Sequence, residues 1–303
     1  MNLADTAVKF YTWKDYRLVY EVSGNETSSD TPGLLLIYPI GVGLSRCFWH
    51  PFIASYLTTE NPLPVYNPDL LGCGANDLPR LAYYPEDWGA QLQYFLETVV
   101  KKPVIVITQG ASAPVAFSLV EKCSQSNLIK GLIFAGPPAW KLISKKGNSL
   151  QQKLLWNLLF DTPFGAAFYR YARRRKFLKS FSERQLFANR NDVDDRWLDT
   201  LEKGAADLQT RHAVFSFLAG FWIDDYSDVI SSISQPTLVI FGDRASSISS
   251  TGATETPEER LALYLKHLPN GQGKIIPGRN VLPYESTADF VGVVSDFVRQ
   301  IVK

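Results

Sequence analysis

The chain of 303 residues lacks an excess of either charge, since 31 basic side chains stand against 30 acidic ones. A general nucleic-acid binder is usually distinctly basic, so we expect no nucleic-acid partner. No apolar run approaches the ~20 residues of a membrane-spanning helix. The first six residues show no basic segment followed by an apolar stretch, which a signal peptide would have. These absences predict a cytoplasmic protein.

Cysteine and histidine are also scarce, with three of each. Cys47, Cys73 and Cys123 are odd in number and widely spaced, which favours free thiols over a disulfide framework. No cluster of histidine, cysteine and carboxylate residues has the spacing of metal ligands. The sequence therefore predicts no metal and no cofactor.

Apolar runs alternate with helical patterns along most of the chain. After an antiparallel hairpin over 9–22, the predicted strands are 34–38, 65–69, 104–108, 131–135, 237–241 and 274–276. The predicted helices are 85–100, 113–122, 257–267 and 285–301. Continuous apolar strands are buried on both faces, which indicates an α/β fold with a mostly parallel sheet flanked by helices.

The stretch 137–231 breaks this rhythm, because it is helical and aromatic and has no convincing strand. We predict a helical cap inserted between the sixth and seventh strands, with 1–136 and 232–303 forming the core. A cap in this position would lie over the carboxyl edge of the sheet, where ligands bind in open α/β folds.

The segment VIVITQGASAPVA at 104–116 predicts a strand, a sharp turn and a helix. This is the setting of a nucleophile elbow, in which a G-x-S-x-G turn raises a serine to the top of a sheet. Gly110 stands in the place of the serine, and glycine has no side chain that could attack a substrate.

Five motifs in order resemble the α/β-hydrolase superfamily, in particular its esterases and epoxide hydrolases with a helical cap. LLLIYPIG at 34–41 is similar to the strand that leads into the oxyanion loop, and Phe48 and Trp49 to the aromatic pair after it. NPDLLGCGAND at 67–77 is similar to the D-x-x-G-x-G-x-S-D turn. PTLVIFG at 236–242 and the segment 277–290 resemble the regions of the catalytic acid and histidine.

The resemblance implies an α/β-hydrolase fold and three catalytic positions, and each is occupied by a residue without the required chemistry. Counting along the family motifs puts Gly110 at the nucleophile, Ala245 at the acid and Asn280 at the histidine. It also implies an oxyanion hole formed by the backbone amides of Ile40 and Ala111. A triad needs its nucleophile, base and orienting carboxylate together.

This combined loss predicts a pseudo-hydrolase that binds an apolar or amphipathic small molecule, or that serves as an assembly or scaffold protein. The candidate ligand-binding residues are Tyr38, Ile40, Ala111, Trp140 and Trp222. The segments 39–45 and 280–285 also resemble a cyanobacterial and plastid subgroup, which implies a photosynthetic, lipid or pigment context.

Ser112 keeps an alternative open, an active esterase-like hydrolase with non-standard residues. Ser112 would be the nucleophile in G-x-S-x-P, and His50 or His212 the displaced base. The third histidine, His267, is expected on a peripheral helix. The other interpretation, which we favour, is that Ser112 caps the following helix, with Pro114 in its first turn.

The predicted cap also carries a basic and aromatic segment at 168–179. Its cluster predicts peripheral contact with an anionic membrane or with an acidic protein partner. The cluster consists of Arg170, Arg173, Arg174, Arg175 and Lys176. The alternative is a solvated helical face balanced by the acidic residues at 192–202.

Overall fold

A computed structural model describes residues 7–25, 31–248 and 254–302, which form an eight-stranded sheet with helices around it. The strands are β1 Val8–Trp13, β2 Tyr16–Ser23, β3 Gly33–Ile37, β4 Val65–Pro68, β5 Val104–Gln109, β6 Ile129–Ala135, β7 Thr237–Gly242 and β8 Gly271–Ile276. Their order in the sheet is β1-β2-β4-β3-β5-β6-β7-β8. β2 pairs antiparallel with both β1 and β4, and all the other pairs in the sheet are parallel.

The helices of the core follow and precede these strands. They are α1 His50–Tyr56, α2 Pro85–Phe95, α3 Ala113–Lys122, α11 Pro257–His267, α12 Leu282–Glu285 and α13 Thr287–Val302. Between β6 and β7 lie α4 Trp140–Ile143, α5 Ser149–Leu155, α6 Pro163–Ala172, α7 Arg175–Phe181, α8 Asp195–Gly204, α9 Arg211–Leu218 and α10 Ser227–Ser232.

The predicted sheet is confirmed, and its apolar strands explain it. β3, β5 and β7 are buried at every position, as expected for parallel strands that are covered on both faces. The opening hairpin is also confirmed, with Val8 opposite Glu21 and Trp13 opposite Tyr16. Sheet and helices therefore have the architecture that the resemblance implies.

Three helical details differ from the expectation. Helix α1 is not among the predicted helices; it follows a short 3-10 turn and has a proline in its first turn. The predicted helix over 85–100 is α2 followed by a π-helical turn, Leu96–Val100. The last predicted helix is divided, because Ser286 leaves the α region between α12 and α13.

The segment 137–231 contains helices α4 to α10 joined by turns and loops, with one isolated β-bridge between Ser144 and Asp225, and it connects β6 to β7. Its buried residues fall into two groups. Trp197, Leu198 and Leu201 of α8 belong to the main hydrophobic core, together with the sheet. A second cluster around Trp156 and Phe215 consists of cap residues with few neighbours from outside. The division into a core and a cap domain stays a prediction.

All three cysteines are free thiols, and Cys73 and Cys123 are buried. Within the described ranges, no helix is long and apolar enough to cross a membrane. The first six residues, which enter the expectation about a signal peptide, lie outside the described residues.

Candidate functional site

The elbow exists as a backbone feature without its side chain. Gly110 follows β5 directly, has a φ of 65° and opens a 3-10 turn, Gly110–Ser112, that continues into α3. A Cβ at Gly110 would have Pro39 Cβ, 3.7 Å away, as its nearest neighbour. The position is therefore sterically open, and its positive φ is the conformation that glycine adopts most readily.

Asn280 and the loop after β7 come together beside this elbow. The Asn280 side-chain amide donates to the carbonyls of Gln185, at 2.7 Å, and Ser246, at 3.1 Å. Ser246 directly follows Ala245, so the implied positions of the base and the acid lie next to each other. At the position that the resemblance assigns to the base, the side chain is thus a neutral amide bonded to backbone carbonyls.

Gln109 connects the elbow to the same loop and was missed in the sequence analysis. Its Nε2 donates to the backbone carbonyl of Asn280 at 2.8 Å, across 171 residues of chain. The side chain is completely buried, and its Oε1 has no hydrogen-bond partner within the described residues. A polar residue at the end of the apolar run of β5 was the available signal.

Glu285 holds the Asn280 loop and ties it to the cap. Its carboxylate accepts from the backbone N–H of Arg279 at 2.5 Å and from that of Ala188, a cap residue, at 2.8 Å. Burial raises the pKa of Glu285, while these backbone amides oppose the rise. Arg279 Nε also donates to Ser246 Oγ at 2.9 Å. The implied base position is thus fixed from both sides.

The cap helix α8 packs backbone to backbone against the loop after β3. A Cβ on Gly43 would lie 2.0 Å from the carbonyl oxygen of Leu201, and a Cβ on Gly204 would lie 2.1 Å from that of Gly43. Only glycines permit such an approach. The cap therefore sits directly on the loop that the resemblance identifies as the oxyanion loop.

Aromatic side chains fill the neighbouring contact between the cap and the Asn280 loop. The Trp197 ring lies 4.8 Å from that of Tyr284 and 5.2 Å from that of Phe187, measured between centroids. Trp197 Nε1 donates to Ser182 Oγ at 2.9 Å. Trp197 and Phe187 are at most 1% exposed, so this contact is dry.

Ser112 makes one side-chain hydrogen bond, and its partner is not in its own helix. It occupies the N-cap position of α3 but makes no side-chain capping bond, so that prediction is wrong. Its hydroxyl instead donates to the carbonyl of Tyr38, at the end of β3, at 2.8 Å. Pro114 does lie in the first turn, where its missing N–H reduces the need for a cap.

His50 belongs to a partly buried network with Glu21, Arg46 and Asp69. Its Nε2 lies 2.9 Å from Glu21 Oε2, and the other oxygen of Glu21 accepts from Arg46 at 2.8 Å. Arg46 also contacts Asp69 at 2.5 Å. Burial would raise the pKa of Glu21, but His50 and Arg46 outweigh it and lower that pKa. This arrangement links β2, α1 and the turn after β4.

His212 is completely buried inside the cap. Its Nδ1 lies 3.1 Å from the carbonyl of Gln209, so Nδ1 carries the proton, and Nε2 has no hydrogen-bond partner within the described residues. Burial, and then the charge of Arg211, lower the pKa of His212 to about 4. The ring is neutral near pH 7 and packs in the cap core.

The five candidate ligand-binding residues have different surroundings, and their role stays a prediction. Tyr38 is completely buried, and its hydroxyl accepts from the Leu70 N–H at 2.8 Å. Trp140 stacks on the ring of His267, 4.2 Å between centroids, on the side of α11.

Of the other three, Trp222 lies in the cap, whereas Ile40 and Ala111 lie near Tyr38 at the elbow. Trp222 is half-buried and stacks on Phe217 within the cap. Pro39 and Gly110 are neighbours in space, and Ile40 and Ala111 are the next residues along the chain after each of them. An oxyanion hole would lie at this point. The role of Ile40 and Ala111 as amide donors stays a prediction.

The basic segment divides into internal and outward-facing residues. Arg173 donates to the carbonyls of Ala205 and Ala206, and Arg175 contacts Asp195, Asp199 and Glu202 at 2.6–2.7 Å. Arg173 is thus bound by the cap backbone and Arg175 by acidic residues at 192–202. This agrees with the alternative interpretation, in which those acidic residues balance the basic segment. Arg170, Arg174 and Lys176 are exposed.

Comparison with known proteins gives the fold independent support. The Alpha/beta hydrolase family matches residues 34–293. A thermophilic esterase from Thermogutta terrifontis is 16% identical, with a TM-score of 0.71, over 99% of this chain and 100% of the esterase. The enol-lactonase from Burkholderia xenovorans LB400 is 14% identical, with a TM-score of 0.72, over 96% and 100%.

A bromoperoxidase from Bacillus anthracis is 18% identical, with a TM-score of 0.71, over 97% of this chain and all of its own. At such identities these structures show a shared fold alone. No curated protein sequence matches the chain.

Proposed function

The chain belongs to the Alpha/beta hydrolase family, and we propose that it is a member without hydrolytic activity that acts by binding. One observation carries the proposal. Beside a side-chain-free elbow at Gly110, Asn280 occupies the position of the base and donates to backbone carbonyls. The nucleophile, the base and its orienting acid are all absent from their places.

The physical chemistry of acyl transfer makes this combination severe. A serine hydroxyl becomes a nucleophile only when a neighbouring base accepts its proton, and a carboxylamide does not accept one near neutral pH. Backbone amides at Ile40 and Ala111 can still stabilise an oxyanion. Such a hole without a triad retains about 10³-fold acceleration over water, far below an esterase.

Packing of the cap favours an assembly or scaffold role over enclosure of a small substrate. A movable lid would have to separate from the core at the interface between them. That interface is filled by the backbone contact of Gly43 with Leu201 and Gly204 and by the buried rings around Trp197. If a small molecule binds, its class is apolar or amphipathic. The resemblance of residues 39–45 to a cyanobacterial and plastid subgroup makes lipids and pigments the first molecules to test.

The test is labelling with a fluorophosphonate probe, together with turnover of a panel of p-nitrophenyl esters. An active esterase of the same family is the positive control. We expect neither labelling nor enzymatic turnover for the native chain, because Gly110 supplies no nucleophile and the Ser112 hydroxyl donates to the Tyr38 carbonyl. Labelling that disappears in Ser112→Ala would refute the proposal and restore the displaced-nucleophile hydrolase.

Gly110→Ser sharpens the test, since the position is open enough for the new side chain. We expect this variant to stay inactive because Asn280 supplies no base. Its folded state is checked by circular dichroism. Ester turnover by Gly110→Ser alone would mean that a base is present beside the elbow, which contradicts the assignment of Asn280.

A further inference from the structure

The outer surface of the cap exposes an unusual amount of apolar side chain. Nine of the sixteen large apolar residues that are exposed in the described chain lie between 150 and 218. We call α5 with the π-helical turn that continues it, Trp156–Phe160, the outer helix. The exposed apolar residues of the outer helix and α6, with Leu218, form the apolar cap face. Its most exposed members are Leu150, Phe164, Leu158 and Leu154, at 79%, 76%, 67% and 58%.

These side chains form an ordered ridge. Leu150, Leu154 and Leu158 are spaced by four residues and lie along one side of the outer helix. The opposite side is anchored, because Trp156 is buried and Gln152 Nε2 donates to the carbonyl of Gly220 at 2.7 Å. The leucines are therefore displayed by a helix that is held in place, and apolar side chains exposed together in this way mark an interaction site.

Two neighbouring concavities on this surface differ in chemistry. One, of about 330 Å³, has an apolar lining that includes Leu159, Phe168 and Leu218. The other, of about 250 Å³, is lined by Tyr171 and by basic residues that include Arg174 and Lys176. Phe168 and Tyr171 are one turn apart on α6, so the two concavities adjoin. An apolar recess beside a basic one matches an acyl chain beside an anionic headgroup.

The charge around the face has one sign. Between residues 149 and 180 there are seven basic residues and a single acidic one, Asp161. Asp161 is ion-paired with Arg80 at 2.8 Å. Arg170, Arg174 and Lys176 are exposed, and Arg174 and Lys176 line one concavity together with Tyr171 of the apolar cap face. Leucine and phenylalanine next to a positive rim are typical of helices that lie in the interface of an anionic membrane.

We propose that the apolar cap face docks on a bilayer that contains anionic phospholipid. Leu150, Leu154, Leu158 and Phe164 enter the headgroup and acyl boundary, while Arg174 and Lys176 bind lipid phosphates. Of the basic residues that the sequence indicated, Arg173 and Arg175 are excluded from this docking face because they are engaged within the cap. The proposal stands apart from the loss of catalysis, because it does not depend on the residue at 110.

Vesicle co-sedimentation of the full chain tests it. Vesicles of phosphatidylcholine alone are compared with an equimolar mixture of phosphatidylcholine and phosphatidylglycerol. We expect binding to the mixed vesicles that is weakened by salt. Leu154→Gln with Leu158→Gln should reduce the partition coefficient at least about tenfold, since each leucine loses its transfer into the boundary. Arg174→Gln with Lys176→Gln should reduce it about fivefold per residue.

The matched control is Leu81→Gln with Val302→Gln, two apolar side chains outside the cap that are 43% and 44% exposed. This control should bind as the native chain does, and circular dichroism checks that every variant is folded. Absence of binding by the native chain, or equal binding by all variants, overturns the proposal. Analytical ultracentrifugation without lipid tests whether the apolar cap face instead binds a second copy of the chain. A dimer that dissociates in the leucine variant, with no vesicle binding, also overturns it.

Discussion

Two helices of the cap, similar in length, present opposite surfaces. α8 buries Trp197, Leu198 and Leu201 against the core and turns a charged side outward. The outer helix buries Trp156 and Phe160 and turns leucines outward. The composition of the cap as a whole therefore does not explain the exposed leucines, because α8 shows that a cap helix here can have a charged outer side. The difference indicates that the inner side of the cap packs on the core, whereas its outer side is suited to binding a partner outside the chain.

The largest expected effect is on stability, from a substitution at Gly204, where the cap packs on the core. Gly204→Ala would place a Cβ 2.1 Å from the carbonyl oxygen of Gly43, and a backbone group cannot move aside cheaply. We expect a loss of about 4 kcal/mol or more in the free energy of unfolding, measured by urea titration. Gly292→Ala on α13 is the control, since its Cβ would meet nothing within 4 Å. Equal stabilities of the two variants would mean that α8 does not rest on the Gly43 loop.

Leucine truncation compares the two sides of the cap directly. Leu201 is 3% exposed and Leu154 is 58% exposed. Leu201→Ala should cost about 3–4 kcal/mol of unfolding free energy, because it removes buried apolar area and leaves a cavity. Leu154→Ala should change it by less than about 0.5 kcal/mol. A large loss at Leu154 in the free chain would mean that the outer helix is covered by another part of the protein.

The interior between these two sides contains a titratable group, His212. Its pKa is lowered to about 4 in the folded protein, against about 6.5 when unfolded. The unfolded chain therefore binds the proton more readily, and stability falls as the pH drops from about 6.5 towards 4. The contribution is at most about 3 kcal/mol. His212→Gln should flatten this part of a stability-against-pH curve, and an identical slope in both proteins would contradict the assignment.

The sequence predicted the backbone of the site better than its side-chain contacts. The strands, the elbow at Gly110 and the neighbouring positions of Ala245 and Asn280 follow from apolar runs, small residues and motif order. Those features depend on local conformation and on the sheet. The bond from Gln109 to Asn280 joins residues 171 positions apart, and no local pattern encodes such a pairing.

The same limit applies to side-chain direction. Ser112 is expected to accept a bond from a backbone N–H in the first turn of its own helix, but its hydroxyl instead donates to the Tyr38 carbonyl of another strand. Arg173, Arg174 and Arg175 are adjacent in sequence and have three different environments. Consecutive residues around the start of a helix point in different directions. A run of basic residues in the sequence therefore does not form one basic surface in the structure.

The smallest expected effect separates two adjacent arginines of that run. Arg175 lies between Asp195, Asp199 and Glu202, whereas the Arg174 guanidinium lies over the Tyr171 ring at the basic concavity. Arg175→Gln leaves three carboxylates without their cation, which should lower the thermal midpoint slightly because the site is exposed to solvent. Arg174→Gln should leave the midpoint unchanged and weaken binding to anionic vesicles. Because both changes remove one charge from neighbouring positions, net charge cannot explain opposite outcomes. If Arg175→Gln weakened vesicle binding as much as Arg174→Gln does, the cap would attract the membrane through its overall charge, and the distinction between an inner and an outer side would not extend to its basic residues.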